Sequence, residues 1–164
     1  MIGDTDEVAN AAPDPPVAEF AGQLFFRLWR ATHTRTAEAL GGIGLTPALF
    51  ALLNVVAARD AATQQQLGSM LGIDPSTMVS LVDQLEGAAL ARRRPSPTDR
   101  RVRQISITAK GRRHLERARA LIAGVEDEVL AGLDGDERAA LMTLLRRALD
   151  SAPAQPLWSA REGD

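Results

Sequence analysis

The segment 64–87 constrains the fold more than any other part of the chain, because it holds two short helical patterns separated by a tight turn. Thr63 followed by Gln66 has the form of a capping box that begins the first helix. Gly72 can end that helix, and Asp74 before a proline begins the next. Two helices joined so closely must cross at a fixed angle and share one small core.

The two faces of the second helix, about 75–88, differ in kind. One face carries a core stripe at helical spacing: Met78, Leu81, Val82 and Leu85. The opposite face carries small or polar residues: Ser76, Ser80, Asp83 and Gly87, flanked by Thr77 and Gln84. Such a face can lie close to another surface and form hydrogen bonds with it. The pattern therefore predicts a helix-turn-helix at 64–87.

After Leu90 the periodicity changes from helical to alternating. Ile105 and Ile107 alternate with polar neighbours, as in a half-buried strand, and the proline-rich segment 95–99 interrupts two such runs. We predict a β-hairpin with strands at about 90–94 and 102–107 and an arginine-bearing tip. A helix-turn-helix followed by a basic hairpin is a winged helix, with the wing at 90–107.

Helical patterns also flank this unit on both sides. A first helix should end near Gly41, and Thr46 caps a second that runs through Ala58. Thr108 caps a long helix towards Leu133, and Asp134 begins the last helix, which runs to about residue 150. The predicted fold is mainly α with a small β-hairpin wing, a winged helix-turn-helix with a helical dimerisation region from both termini.

Length and composition favour one domain in a reducing compartment. We assign the domain to 18–150 and flexible tails to 1–17 and 151–164, where proline and alanine replace periodic apolar residues. The absence of cysteine excludes disulfides and thiolate metal sites. No apolar run reaches the roughly 20 residues of a membrane span, and no signal peptide is evident. We therefore expect a cytoplasmic protein without a membrane segment.

Charge is distributed very unevenly. The net charge is −2, yet 92–119 contains eleven Lys and Arg against two acids, a local charge of +9, while the rest of the chain carries −11. A positive stretch within an acidic chain can attract phosphate locally. The alternative is an ordinary solvated arginine-rich helix face, and composition alone leaves both interpretations open.

Over roughly 18–150 the chain resembles the MarR family of winged helix-turn-helix regulators. The resemblance rests on motifs in the right order and spacing: Leu45-Thr46, the 64–87 segment, Leu90 with Arg92, Asp99-Arg100-Arg101, and Ile107-Thr108 with Gly111. It implies a dimer formed by the terminal helices, with DNA-binding lobes below.

The resemblance also assigns roles within the wing. Asp99 and Arg101 match the family's Asp-x-Arg motif, in which the aspartate braces the wing and the arginine reaches DNA. Three positions depart from the family pattern. Gln84 stands where many members have arginine, Ser80 where a larger polar residue is common, and Ala89 where glycine is frequent.

These observations predict a sequence-specific regulator of transcription that binds double-stranded DNA as a homodimer, a repressor released by a small-molecule effector. The candidate DNA contacts are Ser76, Thr77, Ser80 and Gln84 on the helix and Arg100, Arg101 and Arg103 in the wing, with Asp99 as the wing brace. The alternative is a winged-helix module for protein interaction, which would favour an apolar recognition face and a neutral wing.

Other site types find little support. His33 and His114 are far apart and lack metal-ligand spacing, and no phosphate loop or nucleophile motif is present, so we expect no metal, no cofactor and no catalysis. One set of residues could line a pocket for an anionic aromatic effector: Trp29, Arg30 and His33 on the first helix, facing Phe50. An ordinary dimer core explains the same residues equally well.

Overall fold

The computed structural model describes residues 20–59 and 61–152, which form six helices and a small sheet. The helices are α1 (Ala21–Gly41), α2 (Pro47–Ala58), α3 (Gln64–Leu71), α4 (Pro75–Gly87), α5 (Ala109–Val129) and α6 (Gly135–Ser151). The strands are β1 (Ala62–Thr63), β2 (Ala91–Pro95) and β3 (Arg103–Ile107). This confirms the predicted fold class. Apart from 151–152, the predicted tails lie outside the described residues.

Most helices begin where a side chain was expected to cap them. The hydroxyl of Thr46 accepts the Leu49 N–H at 3.2 Å, and that of Thr108 accepts the Gly111 N–H at 2.9 Å. Complete capping boxes begin α3 and α6, at Thr63 and Asp134 respectively. These caps satisfy backbone N–H groups that have no partner within the helix, and they explain why the boundaries are readable from sequence.

The wing hairpin belongs to a three-stranded antiparallel sheet in the order β1, β3, β2. The β2 and β3 strands pair over their whole length, from Ala91 opposite Ile107 to Pro95 opposite Arg103. On its other edge β3 pairs with the two-residue strand β1, which places Ala62 opposite Ile105. The sequence analysis did not predict β1. This pairing joins the wing to the residue that caps α3.

One residue before α4 and one residue after it adopt left-handed backbone conformations. Gly72 has a φ of 69° at the end of α3, which lets the chain turn directly into the cap of α4. Ala89 has a φ of 57° just before β2. Ala89 stands where the resemblance led us to expect glycine, and it adopts this region of φ despite the steric cost of its Cβ.

The core lies beneath the helix-turn-helix and the sheet. The most deeply buried large side chains come from the first four helices and from β3: Leu40, Leu52, Leu53, Val56, Leu67, Leu71, Met78, Val82, Leu85 and Ile105. The predicted stripe of α4 is buried in full. Burial of one such side chain contributes roughly 1.5–3 kcal/mol, so this cluster fixes the position of α4.

The first turn of α5 packs directly on the chain that leads into the wing. A Cβ added at Gly111 would lie 2.0 Å from the backbone oxygen of Leu90, so only glycine fits there. The Thr108 hydroxyl also donates to the Ala89 carbonyl at 2.8 Å. None of the described helices is both long and apolar enough to cross a membrane.

Candidate nucleic-acid interface

The N-terminus of α4 is organised by the Asp74 carboxylate. Its Oδ1 accepts the N–H groups of Ser76 and Thr77 at 3.0 Å each and the Ser76 hydroxyl at 2.5 Å. These hydrogen bonds, the Ser76 and Thr77 side chains first, hold the pKa of Asp74 well below its usual range. The Ser76 hydroxyl proton is thus committed to the cap, which leaves the Ser76 oxygen to accept a hydrogen bond from outside.

The outward face of α4 is polar and exposed, as the sequence indicated. Ser76, Thr77, Ser80 and Gln84 are all exposed. The Gln84 amide nitrogen donates to the Ser80 hydroxyl oxygen at 3.3 Å, one helical turn away. The Ser80 hydroxyl proton and the side-chain oxygen Oε1 of Gln84 both remain available, so this pair presents one donor and one acceptor side by side.

The tip between β2 and β3 is held by its own polar groups. Ser96 is buried, its N–H donates to the Val102 carbonyl at 2.8 Å, and its hydroxyl lies 3.0 Å from that of Thr98. Asp99 accepts the Arg101 N–H at 2.9 Å through Oδ1, and its backbone carbonyl accepts the Val102 N–H at 3.0 Å. Asp99 thus makes the contacts that a brace of the tip would make.

The wing presents five exposed arginines: Arg92, Arg94, Arg100, Arg101 and Arg103. Arg92 and Arg94 alternate along β2 with Arg93, which faces inward in accordance with the two-residue period of a strand. The basic stretch seen in the sequence is therefore divided. Part of it forms an exposed rim on the wing, and part is used inside the protein.

Arg93 connects three elements. Its guanidinium contacts Asp83 at 2.7 Å and also Glu86, both on α4. Its Nε donates to the side-chain oxygen Oε1 of Gln64, on α3, at 3.4 Å. The Arg93 backbone N–H donates to the second Glu86 oxygen at 2.6 Å. Partial burial opposes the charged form, but the hydrogen bonds that Arg93 donates to Asp83 and Glu86 prevail and raise the pKa of Arg93.

The predicted effector residues lie on two helices, three of them on α1 and Phe50 on α2. Trp29 and His33 stack on α1 with ring centroids 4.8 Å apart, and both are exposed. Arg30 lies on a groove of about 590 Å³ along α1 whose lining includes none of the other three. Phe50 is half-buried against the core of α2. In the described part of the chain, no three His, Cys, Asp or Glu side chains are placed to hold a metal ion.

Comparison with known proteins assigns the family. Residues 43–102 match the model of the MarR family. The chain is also 34% identical over 131 residues to a Thauera aromatica protein named for transcriptional regulation of the hcr operon, covering 77% of this chain and 79% of that protein. The chain belongs to the MarR family. It is therefore a DNA-binding transcriptional regulator and not an enzyme.

Solved MarR family structures have the same fold. The repressor CouR, bound to a 23-mer DNA duplex, is 30% identical, with a TM-score of 0.72 over 85% of this chain and 99% of that one. A point mutant of E. coli MarR complexed with operator DNA is 25% identical, with a TM-score of 0.65 over 78% of this chain and 92% of that one.

Two features of this MarR family chain escaped the sequence analysis. Asp83 was placed on the outward polar face of α4, but it pairs with Arg93. Ser96 was taken as part of a proline-rich interruption, but it is buried and closes the tip. The alternation along β2 could have separated Arg93 from Arg92 and Arg94. Nothing local in the sequence identifies its carboxylate partners, because they lie on another element.

Proposed function

We propose that this protein binds a near-palindromic DNA duplex by placing α4 in the major groove and the wing against the neighbouring phosphates or minor groove. The observation that carries the proposal is the adjacency of an exposed polar helix face and an arginine rim on a single buried core. A helix fits the width of the major groove, and guanidinium groups suit phosphate and narrow minor grooves.

The two surfaces have different tasks in this proposal. Ser76, Thr77, Ser80 and Gln84 contact base edges, because their paired donors and acceptors can distinguish one base pair from another. Arg100, Arg101 and Arg103 supply charge-based affinity, and Asp99 holds the tip that carries them. The polar character of α4 and the charge of the wing favour DNA over a protein partner as the ligand of this face.

We further propose that the protein acts as a homodimer through α1 and α6. Phe20, Phe25 and Phe26 at the start of α1 are each more than half exposed, and α6 buries none of its residues. Apolar surface of this extent is typical of an interface. A two-fold axis between the lobes would place the two α4 helices about 34 Å apart, in successive major grooves.

For regulation, we propose repression that an anionic aromatic effector relieves. The stacked rings of Trp29 and His33 offer an exposed aromatic surface on the helix proposed to form the dimer, and Arg30 supplies a cation on the same helix three residues before His33. Fluorescence of Trp29 in a Trp158→Phe background tests this site. Benzoate should change the emission, whereas neutral benzamide at the same concentration should not; equal responses would contradict an anion site.

Selection from a randomised duplex library, followed by footprinting, tests the DNA proposal. The expected product is a near-palindrome with two protected half-sites about one helical turn apart. A single protected half-site would contradict the two-fold arrangement, and failure to enrich any sequence would contradict specific reading by α4. Sedimentation of the free protein at micromolar concentration tests the dimer separately, since a monomer would exclude it.

A further inference from the structure

Helix α4 carries two carboxylates close to its proposed DNA face, which is unfavourable for a surface that must approach phosphate. Asp83 and Glu86 both lie on α4, and Asp83 is more than half exposed. Each adds negative charge near a polyanion, so on electrostatic grounds each should weaken binding. Their presence needs a compensating role, and the cation that they share is Arg93.

The contacts of Arg93 leave it unsuited to bind phosphate. Its side chain is only 25% exposed, and its guanidinium faces two carboxylates and the Gln64 amide oxygen. Its Nη1 already binds both acids and its Nε binds Gln64, so two of its three guanidinium nitrogens are engaged within the protein. The cluster of Arg93, Asp83 and Glu86 has a net charge of −1, so Arg93 adds no positive field towards DNA.

The same contacts join the two surfaces that must meet DNA together. Glu86 receives both the backbone N–H and the guanidinium of Arg93, so one α4 side chain holds β2 at two points. Gln64 extends the connection to the first residue of α3. A forked guanidinium with several acceptors fixes direction as well as distance, which a single point charge does not.

We propose that Arg93 is a positioning residue that sets the wing relative to α4, so that the base-reading face and the arginine rim engage one duplex simultaneously. The inference rests on the proposed function, because it concerns how the two surfaces cooperate. Specific binding requires that register, whereas non-specific binding through charge tolerates a displaced wing. Arg93 therefore acts on specificity without touching DNA.

Glu86→Gln gives the sharpest test, because the two explanations predict opposite signs. Loss of a negative charge alone would strengthen binding to every duplex. Loss of the contacts between Glu86 and Arg93 should weaken binding to the selected duplex by about tenfold, the scale of one lost base contact. It should change binding to a random duplex of equal length by less than about threefold. Glu126→Gln, an exposed carboxylate on α5, is the matched control and should leave both unchanged.

Arg93→Gln and Arg93→Lys complete the set. Both should lose preference for the selected duplex, Lys less than Gln, because lysine keeps the charge but not the fork. The salt dependence on random DNA should stay unchanged in both. Arg94→Gln, its exposed neighbour, should instead affect both duplexes alike if it meets phosphate. Arg93→Lys also serves if Arg93→Gln does not fold.

Hydrogen exchange of the free protein provides a readout that needs no DNA. In Glu86→Gln the Arg93 amide should exchange faster, because its acceptor is weakened.

If the wild-type protein selects no duplex, the proposed function fails. If it does select one, but Glu86→Gln binds that duplex as tightly as wild type or more tightly, the positioning role alone is overturned. If Arg93→Gln instead weakens binding to both duplexes equally and reduces the salt slope by about one, Arg93 is a phosphate contact and not a positioning residue.

Discussion

The winged-helix lobe, formed by α2 to β3, and the terminal helices α1 and α6 differ in how far their apolar residues are buried. In the lobe nearly every apolar stripe is buried, as the fully covered Leu53 and Leu85 show. In the terminal helices the stripes are open, and Leu144 and Leu149 of α6 are 59% and 72% exposed. Both regions are helical, and a capping box begins a helix in each of them, α3 in the lobe and α6 among the terminal helices.

The difference shows which apolar side chains one chain buries by itself and which it leaves exposed. The lobe forms a buried core within one chain, and the outward face of α4 is polar. The terminal helices have no core of their own within the described residues, since α1 buries only Leu40 and α6 buries nothing. Their amphipathic pattern has a purpose only when another apolar surface covers it.

The largest effect should come from truncating one leucine in each region. Leu53→Ala removes a fully buried side chain and should lower the free energy of unfolding by about 2–5 kcal/mol, measured by denaturant titration. Leu144→Ala, on the open face of α6, should instead act through the monomer–dimer equilibrium and be visible by sedimentation. A comparable loss for Leu144→Ala in the monomer would mean that α6 packs within its own chain and would break the comparison.

Helix α5 spans both regions and offers a matched pair of glycines. Gly111 lies against Leu90 at the base of the wing, whereas a Cβ added at Gly124 would meet no neighbouring group of the described residues within 4 Å. Gly111→Ala should destabilise the protein by at least about 2 kcal/mol, because the backbone must move. Gly124→Ala should stabilise the helix by up to about 1 kcal/mol.

Thermal unfolding of the two glycine variants measures both effects. If Gly124→Ala is also strongly destabilising, a surface outside the single chain must cover that part of α5. A dimer partner would be the first candidate, and the effect should then depend on protein concentration. A neutral Gly111→Ala would mean that the wing and α5 are not in the close contact described.

Local features of the fold were readable from the sequence, and non-local ones were not. The caps at Thr46 and Asp134 were predicted because capping depends on residues within one helical turn. The strand β1 was missed because two residues show no period and its position depends on β3. Arg93 was counted as surface charge because its partners are distant in the chain.

The candidate site divides in the same way. The exposed face of α4 followed from its helical period, and the arginine rim from composition and turn residues. The effector residues were grouped by proximity to one another on α1 and by residue type. Phe50 was expected on the second helix, facing the first, but its packing against the core depends on residues distant in the chain, which spacing along either helix does not show.

Within the lobe, a substitution in α4 and a substitution in the wing should change DNA binding in different ways. Gln84→Ala should lose on the order of 1–3 kcal/mol on the selected duplex and little on random DNA, if Gln84 makes a good base contact. Arg101→Ala should weaken binding to all duplexes and reduce the salt slope by up to about one unit. Titrations at several salt concentrations measure both.

Two outcomes would change this assignment. An Arg101→Ala protein with unchanged affinity and salt dependence would remove the wing from DNA binding. Equal losses on selected and random DNA for Gln84→Ala would remove α4 as the reader and leave DNA shape as the source of specificity. Leu149→Ala, in the terminal helix α6, is the control. In protein that remains dimeric it should change neither the preference for the selected duplex over random DNA nor the salt dependence of binding.

The smallest effect should concern the pH dependence of the cap that begins α4. The folded state lowers the pKa of Asp74 through hydrogen bonds from Ser76 and Thr77, so Asp74 contributes stability above its unfolded pKa and loses that contribution as pH falls. At neutral pH, Asp74→Asn should be slightly less stable than wild type, and Asp74→Ala less stable still, because asparagine keeps an acceptor oxygen. Below about pH 4, the ordinary range of the unfolded carboxyl, the advantage of wild type over Asp74→Asn should shrink. Unfolding titrations of the three proteins between pH 3 and pH 7 measure the difference. A constant difference across that range would show that the carboxylate charge does not stabilise the helix start, and would leave the neutral hydrogen bonds as the whole of the cap.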